Sequence, residues 1–191
     1  MNSKTIAIAA GLYFAIFLLA HRTPPEPAKQ MFSGVHDLST ATHGKARGSS
    51  TYVSAPEGET VSQITPDRFV VPLVVLDGFA PRHVVDLNDV AEWEQRHGTV
   101  PAGSLVAVQS DAVVSDGTVE FLARARRIYG LSADPARNVD ALKNARHAGL
   151  YTVGNLDEVV TIPNAGSIVV ISPNVGENGA SAPARIYSLL R

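Results

Sequence analysis

Cysteine is absent from this chain. That removes disulfides, thiolate nucleophiles and cysteine-ligated zinc together, and it leaves the redox compartment unmarked. Aromatic residues make up only 6%, with a single tryptophan, and charged residues 18%, with a formal net charge of -2. No basic run occurs, so the electrostatic footprint expected of a nucleic-acid binder is missing, and acidic partners are not favoured. There is no Gly-x-Ser-x-Gly elbow. Gly176-Glu-Asn-Gly179 lacks the spacing and the lysine of a phosphate loop and reads as a connection between strands.

One long apolar run is present, from Thr5 to Ala20 behind Lys4, and it is closed by His21, Arg22 and a proline-rich stretch. It falls short of the roughly 20 apolar residues that span a bilayer and suits the shorter core of an export signal. Residues 1–20 are therefore expected to be a signal peptide or an uncleaved membrane anchor. Cleavage after Ala20 fits, although Leu18 is a mediocre match at a position that prefers small residues. Contact with a membrane is expected only through this segment, and the protein is expected to be exported, periplasmic or extracellular. Residues 21–34, with Pro24, Pro25, Pro27 and Gly34, read as an extended linker. One domain of residues 35–191 follows, long enough to bury a core.

Within that domain strands and helices alternate, which predicts an α/β domain with a mixed β-sheet and flanking helices. Val35 to Leu38 suits an edge strand. The near-continuous apolar run from Arg68 to Asp77 predicts a strand buried on both faces, with Pro72 at an edge or bulge. Asp86 to Gly98 has an N-cap, an acidic first turn, Val90 and Trp93 on one face and a terminal glycine, all marks of a helix. His97 sits in its last turn, where a cation favours the helix dipole. Ser104 to Gln109 reads as a strand and Thr118 to Tyr129 as a helix whose arginines, Arg124, Arg126 and Arg127, form a solvated end. Asn138 to Ala148 reads as a further helix. Leu150 to Val153, Ser167 to Ser172 and Ala184 to Leu190 read as strands.

The stretch Arg47 to Pro56 has the position and small-residue composition of an active-site loop, yet holds no His, Asp, Glu or Cys. Ser49 and Ser50 have no partner base recognisable in the sequence. His36, Asp37 and His43 lie close enough in sequence to raise a metal site. Their segment has no helical spacing to make them converge, and adjacent strand residues point to opposite faces, so solvated loop residues are the preferred reading.

Several segments taken in order resemble the cyclase family, the metal-dependent hydrolases that include kynurenine formamidase (arylformamidase) and isatin hydrolase. They are His36-Asp-Leu-Ser39, Ser54-Ala-Pro56, Thr60 to Pro66, Val70 to Asp77, Asp89 to Pro101, Gly130 to Pro135, Gly154-Asn-Leu156 and Ala182-Pro-Ala-Arg185. The resemblance implies the family's α/β fold, a homo-oligomer and a site built on His-x-Gly-Thr-His-x-Asp-Ala-Pro, whose two His and one Asp bind zinc or manganese. Laid on Ala55-Pro56, that signature puts Gly48 and Tyr52 at the histidine positions and Ser54 at the aspartate. Glu57 and Gly58 stand where a catalytic histidine would follow. The family's later Glu-Asn-Leu becomes Gly154-Asn-Leu156, and the histidine before it falls near Leu142.

Hydroxyls and glycines supply no anionic charge to a divalent cation. The expected pocket positions are thus Gly48, Tyr52, Ser54 and Gly154, with no metal or other cofactor. The resulting expectation is an exported family member that has lost its metal ligands and binds a small molecule or a protein partner without hydrolysing it. The alternative is a divergent hydrolase of N-formyl or cyclic amides, of the kynurenine type, with zinc or manganese held by His36, Asp37, His43 or His147.

Overall fold

Leu73 to Leu76 alternates between two hydrophobic environments, as a pleated strand must when both its faces are covered, whereas Val70 and Pro72 before it are exposed. Val71, Leu73 and Val75 join one cluster of buried side chains, while Val74 and Leu76 join another. The protein is described from a computed structural model over residues 31–39, 51–109, 111–156, 159–174 and 179–190. The domain forms one unit, Phe32–Arg191. Residues 1–20, expected to be a signal peptide or anchor, and most of residues 21–34, expected to be a linker, lie outside the described residues. No helix among those described is long and apolar enough to cross a membrane.

In chain order the elements are β1 (Gly34–Asp37), β2 (Tyr52–Ser54), β3 (Val70–Leu76), β4 (Val84–Val85), α1 (Leu87–His97), β5 (Leu105–Val108) and β6 (Val113–Val114). They are followed by α2 (Asp116–Arg124), β7 (Gly130–Ser132), α3 (Val139–His147), β8 (Tyr151–Gly154), β9 (Ser167–Pro173) and β10 (Ser181–Leu190). The main sheet has eight strands in the order β1-β10-β2-β8-β7-β5-β3-β9, and β10 also pairs with β9. This last pairing closes the sheet into a barrel, in which β1 and β2 pair with successive halves of one edge of β10. The run β3-β5-β7-β8 is parallel and the other pairings in the main sheet are antiparallel. The domain is therefore α/β with a mixed sheet and flanking helices.

One cluster fills the barrel, with Val53, Leu73, Leu105, Tyr151, Val169 and Ile186 among its members. The other lies between the parallel strands and the helices, around Trp93, Val106, Leu122 and Leu131. The indole N–H of Trp93 donates to the Val75 carbonyl at 2.9 Å, so the largest side chain under α1 is placed without an unpaired polar atom. α1 begins as its sequence predicts. The Asp86 carboxylate accepts from the Asn88 and Asp89 amides, and Asp89 returns the bond to the Asp86 amide.

Two expectations need correction. The end of the supposed loop Arg47 to Pro56 is strand, because Tyr52 to Ser54 pairs with both β8 and β10. β7 and the small β4–β6 pair lie in segments to which the sequence reading assigns no element. Pro72 occupies an edge position, as the sequence predicts, although β3 as a whole lies between β5 and β9. It stands before the β5 ladder begins at Leu73, in the half of the strand paired on one side only. Finally, α2 is capped by Ser115 and ends at Arg124, so Arg126 is not part of a solvated helix end. Its guanidinium grips Glu94 of α1 through Nε and a terminal nitrogen at 2.6 and 2.7 Å, with both side chains mostly buried.

That grip predicts an acid-sensitive contribution to stability. The Arg126 hydrogen bond holds the Glu94 carboxyl below its ordinary value of 4.5, against the opposing effect of burial. A depressed folded value means that the contribution is complete above about pH 4.5 and is lost as pH falls through the lower folded value. Arg126→Ala is expected to lose about 2–3 kcal/mol at pH 7 and to flatten the acid limb of a pH series of urea melts. An unchanged acid limb would show that the pair does not contribute in this way.

Candidate functional site

Tyr52 and Ser54 occupy alternate positions of β2, and Val53 between them points into the barrel. Their side chains therefore share the outer face. Register completes that face from elsewhere in the chain. Tyr52 is paired with Gly154 and Ser54 with Thr152 on β8, while on β10 Pro183 lies opposite Tyr52 and Ser181 opposite Ser54. Three of the four expected pocket positions, Tyr52, Ser54 and Gly154, are thus brought together. The fourth, Gly48, lies outside the described residues, as do Ser49 and Ser50.

The phenol of Tyr52 lies directly on Gly154. A β-carbon added at 154 would fall 2.6 Å from Cε1 of the ring and 2.7 Å from its hydroxyl, far inside van der Waals contact. Residue 154 has room for a tyrosine beside it because it has no side chain. Ser54 Oγ lies 2.6 Å from Ser181 Oγ, so the two hydroxyls satisfy one another. Burial raises the Tyr52 phenol above its ordinary value, with Arg146 pulling the other way and Asp134 adding to the rise. The phenol is therefore neutral at pH 7. Asp134, after β7, and Arg146, on α3, bring opposite charges within electrostatic reach of the ring.

The chemistry of this face can be tested against a divalent cation. A neutral phenol, a pair of mutually bonded hydroxyls and a glycine supply no anionic or imidazole donor, so these residues do not fit the family's metal. Glu57, at the place of the family's catalytic histidine, forms an ion pair with His147 at the end of α3. Its amide also donates to the Arg146 carbonyl.

The alternative ligand set is not assembled among the described residues. Asp37 is engaged by the Arg185 guanidinium at 3.0 Å and accepts from the Ser39 amide. Burial alone would raise its carboxyl, but these bonds hold it below its ordinary value. His36 is exposed and points to the opposite face of β1, His147 is committed to Glu57, and His43 lies outside the described residues. No three His, Asp or Glu side chains among the described residues are placed to hold one ion.

The sequence reading did not place Ser181, Pro183, Asp134 or Arg146 at the site. Ser181 adjoins Ala182-Pro-Ala-Arg185, one of the segments carrying the family resemblance, and this was the available signal. Asp134 lies within Gly130 to Pro135, another of those segments, whereas Arg146 reaches the face through α3 with no motif to mark it.

Solved structures share this fold. Isatin hydrolase A from Ralstonia solanacearum matches with a TM-score of 0.65 at 20% identity, over 100% of this chain and 98% of the other. Isatin hydrolase A from Labrenzia aggregata bound to benzyl benzoate matches at 0.65 and 17%, over 88% of each chain. A potential metal-dependent hydrolase with cyclase activity matches at 0.62 and 19%, over 83% of this chain and 98% of that one. At these identities the likeness is one of fold. No curated protein matches. The family model named Cyclase and described as "Putative cyclase" matches residues 20–155, most of the barrel and all of the described helices. The chain belongs to the Cyclase family.

Proposed function

We propose that this protein is an exported member of the family that does not use the family's metal, and that it binds a small molecule on the face of Tyr52, Ser54 and Gly154 without hydrolysing it. One observation carries the reading: the ring of Tyr52 fills the space that a side chain at 154 would need. Tyr52, at a position where the resemblance implies a metal ligand, and Gly154, at one where it implies a glutamate, are joined here into one packing unit. Their replacements support each other, which is what a face retained for another use requires and what independent loss of ligands would not produce. The face offers a ring, a neutral phenol, paired hydroxyls and the flanking charges of Asp134 and Arg146, the equipment for holding a polar or aromatic ligand.

Metal content tests this. Protein purified without chelator is expected to carry no stoichiometric zinc or manganese, and neither ion should move its melting temperature. A true site would add about 2.7 kcal/mol at a hundredfold excess over its dissociation constant. One tightly held ion per chain, released by chelator with a fall in melting temperature, would overturn the proposal.

A further inference from the structure

Two glycines at positive φ frame a cavity on the outside of the barrel. Gly98, at φ 87°, ends α1 and turns the chain away after His97. Gly166, at φ 91°, turns it into β9, and a β-carbon there would meet nothing within 4 Å. The space has a volume of about 350 Å³. Trp93, His97 and Pro101 line it from α1 and the turn that follows, and Pro72, Val74 and Ile168 line it from β3 and β9. The first half of β3 can face this space because the β5 ladder begins only at Leu73. Pro72 stands in that half and has no amide hydrogen to leave without a partner, so the open strand edge adds little polarity to the wall.

The lining selects by charge. No Asp, Glu, Lys or Arg is among the residues that line the cavity, and its polar side chains are those of His97, Thr99 and Ser167. An ion entering here would leave water without an opposite charge to meet, whereas a neutral molecule enters without that loss. The wall also selects by shape. The rings of Trp93 and His97 lie 4.9 Å apart and tilted, and two prolines and branched aliphatic side chains complete a surface suited to a flat ring. The indole N–H of Trp93 is already given to the Val75 carbonyl, so this side chain offers only its apolar body. His97 and Thr99 are exposed, and they supply the polar rim.

We propose that this cavity is a binding site for a small neutral aromatic molecule that carries one hydroxyl. The ring of the ligand packs among Trp93, Pro72 and Ile168, and its hydroxyl faces His97 and Thr99. The cavity shares no lining residue with the face of Tyr52, Ser54 and Gly154, so the two sites are separate.

Trp93 is the only tryptophan of the chain, which gives the cavity its own reporter. The probe is para-cresol. It is neutral at pH 7, and it absorbs too far into the ultraviolet to accept energy from tryptophan, so only contact changes the emission. Titration of the full-length protein is expected to change Trp93 emission saturably, with a dissociation constant on the order of 1 mM. The probe para-toluate has the same frame with a carboxylate in place of the hydroxyl, and it should bind at least about tenfold more weakly. Ile168→Phe and Ala165→Leu each add bulk to the lining, and each should weaken para-cresol binding by about tenfold or more. A linear response matching that of free tryptophan, para-toluate binding as tight as that of para-cresol, or unchanged binding in both bulkier variants would overturn the proposal.

Discussion

Gly130→Ala is expected to destabilise the protein by about 3 kcal/mol or more, at the upper end of what one extra methyl group costs in a packed core. Gly130 begins β7 and faces into the barrel, opposite Tyr151 of β8. A β-carbon there would lie 2.6 Å from Cζ of the Tyr151 ring. The ring has nowhere to go. It is fully buried, with Phe69 at 5.8 Å and the Arg68 guanidinium at 5.9 Å from its centre. Its hydroxyl, whose ionisation burial pushes far above the ordinary range, has no hydrogen-bond partner among the described residues to guide it to a new position. Urea melts of Gly130→Ala, Tyr151→Ala and the double variant measure the coupling. The double variant should be at least about 1 kcal/mol more stable than the sum of the single losses predicts. Strict additivity would show that the ring does not set the limit at 130.

The second prediction concerns the candidate site. Gly154→Glu restores the carboxylate that the family resemblance places at this position, yet it is expected to cost about 1–3 kcal/mol and to bring no zinc or manganese binding. Tyr52 is half-buried, so its ring can swing outward, which makes this loss smaller than the one at Gly130. Tyr52→Ala in the Gly154→Glu background should recover most of the stability, because the carboxylate then takes the vacated space. Thermal melts of the two single variants and the double variant decide the matter. If Gly154→Glu is as stable as the parent, the ring does not occupy that space and the proposed function loses its support.

The helices were legible in the sequence because their signals are local. Asp86, Val90, Trp93 and Gly98 mark the start, the buried face and the end of α1 within a dozen or so positions. β2 was not legible. Tyr52 to Ser54 is too short to carry a period, and it is a strand only because Gly154 to Thr152 and Ser181 to Pro183 flank it. Arg126 misled for a similar reason: its partner Glu94 lies 32 positions earlier, so a run of arginines that looked solvated contains a buried contact.

The candidate site was legible position by position, through the family signature, but not as a surface. Nothing in the residues near Tyr52 shows that Gly154 lies beneath its ring. That contact depends on how two strands about a hundred residues apart are registered, and pairing at such separation leaves no pattern in either strand alone.

β10 has a consequence for how the chain folds. It is the last strand in the sequence, and it supplies ladder partners to β1, β2 and β9. The Ile186 amide even donates to the Ser39 hydroxyl, 147 positions away. While the chain is being synthesised, β1 has no partner and the barrel core stays open until β10 emerges. Long-range closure of this kind is slow, because the loop entropy is lost before the contacts that offset it are made. The core inside the barrel thus closes only when this last described strand is in place, whereas the cluster around Trp93 takes no residue from it and can form earlier.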